Sequence, residues 1–307
     1  MNSSYKTVFH PYVLLFISVL AIAVSSILIK SSDAPASVAG MYRLLITVLI
    51  LSPFVPWKPV KAMRLSAAEW GLVCTAGVFL GLHFLFWMES LSYTSVASSM
   101  VILTLQPFFV MVGSYFLFRE RVTIGIVLCM AASLAGSVLI AWGDMEVSRQ
   151  ALIGDGLSLL GTIAIAVYLL AGQKLSGKIP ANVYSIMVFG LGGLVLLAYS
   201  VAQGYSLTEY DSSEWTYFLL LAIIPTVFGH FLFNLLLNTI GATTVSVGVI
   251  GEPVLAIILA YLLLGEVVGA MQVAGGLLTL IGMGMYFWLR SGQARTVTDT
   301  EEKGRPL

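Results

Sequence analysis

Residues 107–120 read PFFVMVGSYFLFRE, and residues 253–266, 146 positions later, read PVLAIILAYLLLGE. The proline, the tyrosine and the glutamate of the first stretch meet the same residue types in the second. The same register, without a gap, also aligns Gly136 with Gly282 and Trp142 with Trp288. Leucine and valine coincide readily in an apolar chain, whereas prolines, glutamates, glycines and tryptophans rarely coincide in a single register. The sequence therefore predicts a duplicated unit.

Composition places both copies in a membrane. The chain has 307 residues, of which 59% are hydrophobic and 10% are charged, whereas soluble domains average about 25% charged residues. Its apolar runs are about twenty residues long, the length that a helix needs to cross about 30 Å of hydrocarbon. An ordinary soluble enzyme is excluded. Ten spans are predicted, at 11–30, 36–56, 69–90, 95–118, 123–142, 154–173, 183–203, 215–238, 244–264 and 270–289.

Each copy contains five predicted spans, an odd number, so the second copy must enter the membrane in the opposite sense. The prediction is an all-α membrane protein of ten transmembrane helices, arranged as two inverted five-helix repeats about a pseudo-two-fold axis in the membrane plane. We assign the chain to an N-terminal segment, the first repeat, the second repeat and a disordered tail, at 1–10, 11–142, 154–289 and 290–307.

The first apolar segment is retained as a span rather than as a cleaved signal peptide. Its apolar run is longer than the 7–15 residues of a signal core. Its Ala-Ile-Ala-Val at 21–24 also recurs at 164–167 in the sixth span, at an offset of 143. A segment with an internal copy belongs to the fold.

The basic residues predict the orientation of the chain. Twelve lysines and arginines flank the spans on the side of the N-terminus, and two, Lys30 and Arg149, lie on the other side. Because cytoplasmic loops carry the excess of basic residues, both termini are predicted to be cytoplasmic, in the inner membrane of a bacterium. Cys74 and Cys129 lie inside apolar runs and are predicted to be packing residues.

An ionisable residue in the middle of a span needs a partner or a cavity, because its insertion costs about 2.5–3.5 kcal/mol. Glu252 precedes Pro253 in the ninth span, where proline leaves the carbonyl one turn back without its donor. Gln106 and Pro107 are the counterparts in the first half, and both prolines are predicted helix kinks. Glu252 either binds a substrate ammonium or a proton, or bonds a neighbouring helix to steady the kink.

Two equivalent spans, the third and the eighth, present polar stripes. His83 and Trp87 are four residues apart, as are His230 and Asn234, so each pair lies on one helix face. We predict that these faces, with Tyr168 of the sixth span, form the walls of one cavity. The histidines could alternatively be satisfied helix contacts, and no metal site or cofactor is predicted. The predicted substrate-binding residues are Trp87, His83, Gln106, Tyr168, His230, Asn234 and Glu252.

Three further charged residues are predicted to act in structure or coupling. Arg43 lies within the second span, where it either attracts a substrate carboxylate or extends toward the membrane surface and pairs with a carboxylate such as Glu252 or Glu89. Glu120 and Glu266 end the fourth and ninth spans on opposite sides of the membrane. A carboxylate at a helix C-terminus opposes the helix dipole, so each is predicted to be capped or held in a salt bridge near its loop.

Several motifs match a known family. They are Gly251-Glu252-Pro253-Val254-Leu255-Ala256, Leu264-Gly265-Glu266, Tyr42-Arg43-Leu44 and the stretch 91–99 that leads to Pro107. From about residue 11 to 289 the chain resembles the EamA family of the drug/metabolite transporter superfamily. The resemblance implies a ten-helix carrier with inverted repeats and cytoplasmic termini, and many such carriers export amino acids or related metabolites.

The predicted function is therefore that of a membrane carrier rather than an enzyme. It would move small metabolites, amino acids or related compounds, out of the cell by alternating access. The alternatives are a drug or cation efflux carrier of the same superfamily, a multispanning membrane enzyme acting on a lipid-linked substrate, and a passive channel. The expected partners are a small-molecule substrate and the lipid bilayer, with protons as a candidate coupling ion. Nucleic acid is not expected, and monomer and homodimer both stay open.

Overall fold

A computed structural model of the chain describes residues 10–55, 57, 63–120, 122–142, 148–264 and 268–303. These residues form ten helices that are long and apolar enough to cross a membrane, and they include no strand. Each predicted span overlaps one of the ten. In chain order the helices are α1 (Pro11–Lys30), α2 (Ala36–Phe54), α3 (Ala67–Ser90), α4 (Val96–Phe118), α5 (Ile124–Ala141), α6 (Arg149–Leu175), α7 (Ala181–Ala202), α8 (Ser212–Leu236), α9 (Gly241–Leu259) and α10 (Ala270–Arg290).

The last helix does not stop at the predicted membrane boundary. It runs from Ala270 to Lys303, so residues 290–303, for which the sequence predicts a disordered tail, are helical. The first proline after Ala270 is Pro306. Gly292 lies just after the apolar run, but a glycine within a helix costs only about 1 kcal/mol, so the helix continues past it.

The helices α4 and α9 are each interrupted near the middle, at equivalent positions. α4 consists of the segments Val96–Leu103 and Gln106–Phe118. α9 consists of the segments Gly241–Val249 and Glu252–Leu264, and the second segment extends past Leu259. An offset of 146 maps the interruption of α4 onto that of α9, since Leu103 corresponds to Val249 and Gln106 to Glu252. A proline is the second residue of each later segment, where its missing N–H costs least. Both halves thus contain a helix that restarts in mid-membrane.

The inverted relation of the halves is visible where α5 packs against α10. Ser133 Oγ donates a hydrogen bond to the Thr279 carbonyl (3.2 Å), and Thr279 Oγ1 donates one to the Ser133 carbonyl (3.3 Å). The two residues are 146 positions apart, so each bond is the image of the other. The contacting pairs along the interface run from Cys129–Gly282 through Ser133–Thr279 to Ile140–Gly275. The helices are therefore antiparallel, as a two-fold axis between them requires.

Packing elsewhere obeys the same symmetry. α3 packs on α6, and the equivalent helices α8 and α1 pack on each other. α2 packs against its own equivalent, α7. Ten crossings bring both ends of the chain to one side, which we refer to as the terminal side. The other is the far side.

One pair of equivalent helices differs in structure. α3 is α-helical throughout, whereas α8 contains a π-helix, Ala222–Phe231. Both carry a Glu-Trp pair near the start and a His-Phe-Leu-Phe stretch further on, at 69–70 and 83–86 in α3 and at 214–215 and 230–233 in α8. The interval between the two motifs is two residues longer in α8. A π-helix bonds i to i+5 and takes up more residues per turn, so the π-helix absorbs the excess.

Candidate functional site

A small cavity lies between α1, α2, α3, α4, α6, α8 and α9, at the level where α4 and α9 restart. Its volume is ≈ 40 Å³, which is room for about three water molecules. Four pairs of equivalent residues line it, at offsets of 143 to 147, and they are Ile22 and Ile165, His83 and His230, Leu103 and Val249, and Gln106 and Glu252. The cavity therefore lies on the pseudo-two-fold axis.

The structure brings together most of the predicted binding residues. Of the seven, five line the cavity, namely His83, Trp87, Gln106, His230 and Glu252. Tyr168 and Asn234 are not on the cavity wall. The Tyr168 hydroxyl donates to Asn234 Oδ1 (2.6 Å), and Asn234 Nδ2 donates to Ser185 Oγ (2.9 Å). Because all three are buried, these bonds hold α6, α7 and α8 together and leave the Asn234 amide to structure rather than to a ligand.

Arg43 of α2 lines the cavity and is 1% exposed. Its Nε donates to Thr226 Oγ1 (2.7 Å), and its Nη1 donates to Ser25 Oγ (3.0 Å). Its Cζ lies 4.2 Å from the centre of the Phe84 ring, a cation–π contact. A guanidinium has five N–H donors, and these bonds use two of them. The side chain is held firmly and retains donors for a ligand.

The predicted partners of Arg43 are not its partners in the structure. Among the described residues no carboxylate lies within 4.0 Å of its nitrogens, so it forms no ion pair with Glu252 or Glu89. Its burial also shows that it does not extend to the membrane surface. Two hydroxyls and an aromatic ring hold the charge instead.

The acceptor for Arg43 depends on the π-helix. The Thr226 hydroxyl donates to the Leu221 carbonyl, five residues back (2.8 Å), and so presents its oxygen to the guanidinium. Ser25 follows Val24, where α1 is interrupted. Thr226 and Ser25 are not among the residues predicted from the sequence. The signal was present, because the offset between α3 and α8 changes from 145 at Glu-Trp to 147 at His-Phe-Leu-Phe.

Gln106 and Glu252 are the first residues of the half-helices that begin beside the cavity. They are 4% and 5% exposed. In the described part of the chain neither side chain forms a hydrogen bond, so Glu252 does not bond a neighbouring helix. A carboxylate at a helix N-terminus is favoured by the helix dipole. Glu252 is thus stabilised by its own helix and keeps both oxygens for a ligand.

Opposite charges therefore face one cavity. Arg43 and Glu252 both line it, and with neutral histidines their charges sum to zero. Ionisable residues at this depth are costly and face a partner or a polar cavity. The arrangement can receive a ligand that carries one positive and one negative group.

The two histidines have different hydrogen bonding. His83 Nδ1 lies 2.9 Å from the Gly161 carbonyl, so Nδ1 carries the proton, and Nε2 is an acceptor. The Nδ1 of His230 has no hydrogen-bond partner among the described residues. The ring of His83 is stacked near Trp87, with centroids 6.0 Å apart and planes at 3°. No group of three His, Cys, Asp or Glu residues that could hold a metal occurs in the described part of the chain.

A polar cluster closes the terminal side. The Glu120 carboxylate, at the end of α4, accepts hydrogen bonds from Thr243 Oγ1 (3.0 Å) and Gln173 Nε2 (3.4 Å) and forms a salt bridge with Arg290 Nη2 (3.3 Å). It thereby joins α4 to α6, α9 and α10 near the loop, where the sequence predicts a salt bridge or cap. Glu266, its counterpart, lies outside the described residues.

A different cluster closes the far side. Asp155, near the start of α6, accepts from Thr94 Oγ1 (2.9 Å) and Ser98 Oγ (2.8 Å) at the start of α4. Deeper along the same two helices, the hydroxyls of Ser99 and Ser158 lie 3.1 Å apart. No arginine or lysine takes part in these bonds. A polar cluster therefore joins the helices at each end of the bundle.

Ten membrane-spanning helices in two inverted repeats, around a cavity that includes charged and polar side chains in its wall, define a multi-pass membrane protein with the architecture of a transporter. The chain belongs to the EamA-like transporter family, whose model matches residues 10–142 and 152–288. This agrees with the resemblance of the motifs.

Similar proteins carry the same general description. An uncharacterized transporter of Archaeoglobus fulgidus is 26% identical, over 77% of this chain and 80% of its own length. The uncharacterized transporters YyaM and YcbK of Bacillus subtilis are 24% and 26% identical, over 77% and 86% of this chain and 78% and 88% of their own lengths. These names indicate a transporter and not an enzyme.

A solved structure shares the fold. A crystal structure of another protein superimposes with a TM-score of 0.75 and covers 91% of this chain and 96% of its own, at 17% sequence identity. At this identity the likeness concerns the fold alone.

Proposed function

We propose that this transporter is a carrier of small zwitterionic metabolites, amino acids or related compounds, and that it works by alternating access. The observation that carries the proposal is the pair Arg43 and Glu252, two buried side chains of opposite charge on the wall of one cavity. A substrate carboxylate would bond the free N–H donors of Arg43. A substrate ammonium would bond Glu252.

The charge balance supports a zwitterion over the cationic drugs of the alternative prediction. A site for a lone cation needs a carboxylate that no nearby positive group compensates. Here Arg43 and Glu252 line the same cavity, so a lone cation would leave Arg43 without a counter-charge. The other polar groups of the wall, which include Gln106 and both histidines, also favour a hydrogen-bonding metabolite over an apolar drug.

Alternating access is supported by the inverted repeat and by the two closures. The cluster around Glu120 and the cluster around Asp155 lie on opposite sides of the cavity, so each can open while the other stays closed. The cavity volume of ≈ 40 Å³ is smaller than an amino acid requires. The substrate would therefore enter through a change in helix packing, which exchange of the two repeat conformations provides.

The proposed orientation places the terminal side in the cytoplasm of a bacterium and the far side outside the inner membrane. It rests on the twelve lysines and arginines that flank the spans on the terminal side, against two on the far side. Transport from the terminal side to the far side would then be export.

The test uses purified protein in liposomes loaded with an equimolar mixture of the twenty amino acids. Release into the medium is followed by mass spectrometry. We expect one or a few amino acids to leave faster than from protein-free liposomes, and Glu252→Gln to slow this release at least about 10-fold. The variant removes the anchor for the ammonium and leaves Arg43 as an uncompensated buried charge.

The matched control is Glu89→Gln, because Glu89 is a half-buried carboxylate of α3 that does not line the cavity. It should release substrate at about the wild-type rate. Release of no amino acid above the protein-free rate would overturn the substrate class. Equal rates in wild type and Glu252→Gln would remove Glu252 from the site.

A second measurement addresses protons as the coupling ion. Among the described residues Glu252 is the one carboxylate on the cavity wall, so proton exchange coupled to transport would pass through it. An imposed pH gradient should then accelerate release in the wild type and have no effect in Glu252→Gln. A gradient without effect on the wild type would indicate facilitated diffusion.

A further inference from the structure

The cavity wall contains polar atoms without partners. In the described part of the chain three buried side-chain polar atoms lack a hydrogen bond, namely Trp87 Nε1, His230 Nδ1 and Tyr184 Oη. Two of the three belong to residues that line the cavity. An unpaired buried polar atom costs about 1–3 kcal/mol, and the large majority of such atoms in proteins are paired. Their concentration at the cavity needs a physical reason.

The two residues belong to one patch formed by α3 and α8. The His83 ring is the neighbour of both, with its centroid 6.0 Å from that of Trp87 and 6.3 Å from that of His230. The bond from His83 to the Gly161 carbonyl fixes this middle ring against α6. Trp87 and His230 are 4% and 7% exposed. The patch is therefore buried, and its central ring is held in place by a hydrogen bond.

The hydrogen-bonding capacity of the patch is specific. An indole N–H can only donate, whereas a neutral imidazole has one donor and one acceptor nitrogen. A group that accepts from Trp87 Nε1–H and also bonds His230 would satisfy both residues. A hydroxyl or a carboxamide has this capacity, and a methyl group does not.

We propose that the cavity selects substrates whose side chain carries a hydroxyl or a carboxamide, and that Trp87 and His230 recognise this group. The inference rests on the proposed function, in which Arg43 and Glu252 hold the charged groups of the substrate. The cavity has room for about three waters, so it must widen to admit such a molecule. Widening separates the walls and gives the two orphan atoms access to the ligand.

The selectivity follows from the hydrogen bonds that an apolar analogue could not form. With a methyl in place of the hydroxyl, Trp87 and His230 would stay unpaired in the complex. Sites built to bond a substrate hydroxyl reject the analogue lacking it by as much as about 10⁴–10⁵-fold. A transport cavity that opens to water loses part of this discrimination, so we expect at least about 10-fold.

The experiment compares isosteric pairs in liposomes that contain the full-length protein. Efflux of radiolabelled threonine is measured against valine, and asparagine against leucine, at equal internal concentrations. We expect the polar member of one or both pairs to leave at least about 10-fold faster. The first pair tests the hydroxyl and the second the carboxamide. Equal rates within both pairs, or no efflux of any of the four, would overturn the inference while leaving the proposed amino acid carrier intact, whereas release of no amino acid from the mixture of twenty would overturn both.

Two variants test the assigned residues. Trp87→Phe removes the N–H and keeps an aromatic ring, and His230→Phe removes both ring nitrogens. Each should lower the polar-to-apolar efflux ratio to about 2 or less. A ratio does not depend on how much protein is reconstituted, so a purely structural effect would not change it. The control is Trp142→Phe, an indole that is 63% exposed and off the cavity. An unchanged ratio in both cavity variants would overturn the assignment.

Discussion

α3 and α8 carry the same His-Phe-Leu-Phe stretch on opposite walls of the cavity, yet they support it in different ways. α3 is a continuous α-helix whose His83 is bonded to α6. α8 reaches His230 through a π-helix of ten residues that includes Pro225. The π-helix turns Thr226 toward Arg43, whereas α3 contacts the same guanidinium through the Phe84 ring. The repeat therefore builds a symmetric cavity, and two charged residues without charged counterparts in the other half, Arg43 and Glu252, make its charge distribution asymmetric.

The asymmetry has a consequence for binding. A fully symmetric site would accept a ligand in two orientations related by the axis. Here the positive group of Arg43 has no counterpart in the other half, and Glu252 stands where the other half has neutral Gln106. A ligand with two different ends is therefore expected to bind in one orientation. The following predictions test the difference between the two walls.

Loss of the positive charge should have the largest effect. Arg43→Met should reduce amino acid release at least about 100-fold, because it removes the N–H donors for the substrate carboxylate, and each hydrogen bond to a charged group contributes about 1.5–3 kcal/mol. Release from liposomes is the measurement, and Arg149→Met, at an exposed arginine, is the control. Release by Arg43→Lys, which keeps the charge, should be faster than release by Arg43→Met and slower than release by Arg149→Met. Transport within 2-fold of wild type in Arg43→Met would show that the positive charge of Arg43 is dispensable.

Loss of the acceptor on the π-helix should have an intermediate effect. Thr226→Val keeps the shape of the side chain and removes the oxygen that accepts from Arg43 Nε. A hydrogen bond to a charged group contributes about 1.5–3 kcal/mol, so release should slow about 10- to 100-fold. Thr216→Val is the matched control, since Thr216 is an exposed threonine of the same helix that bonds the carbonyl four residues back. Equal rates in the two variants would contradict the role assigned to the π-helix.

The smallest effect is expected at Tyr168, which bonds a residue of α8 that is not on the cavity wall. Asn234 is the counterpart of Trp87, four residues after the histidine, but it bonds Tyr168. Tyr168→Phe should lower the free energy of unfolding by about 1 kcal/mol, measured by thermal unfolding in detergent. The substrate concentration that gives half-maximal transport should not change. A shift of that concentration by more than about 3-fold would place Tyr168 at the substrate after all.

Much of the fold could be predicted because it depends on regular patterns. Apolar runs of about twenty residues predicted the spans, and the offset of 146 between Pro107 and Pro253 predicted the inverted repeat. Prolines predicted where α4 and α9 restart. These features are local or periodic, so a single sequence contains them.

The site was harder to predict because it depends on contacts between distant residues. Spacing on a helix face brought His83 and Trp87 to the cavity correctly, yet the same spacing put Asn234 there although its amide is bonded elsewhere. The partners of Arg43 were expected to be carboxylates and proved to be hydroxyls. Helix packing decides these contacts. The sequence indicates the π-helix that positions Thr226 only through the two-residue difference between α3 and α8.

The reciprocal bonds of Ser133 and Thr279 have a thermodynamic consequence. When the two halves exchange their conformations, a contact on the symmetry axis keeps the same geometry. Its energy is then equal in the forms open to either side, so it strengthens the fold without setting a resting preference between them. Any such preference must come from contacts that lack an identical twin, such as the ion pair of Glu120 with Arg290 on one face and the hydroxyls around Asp155 on the other.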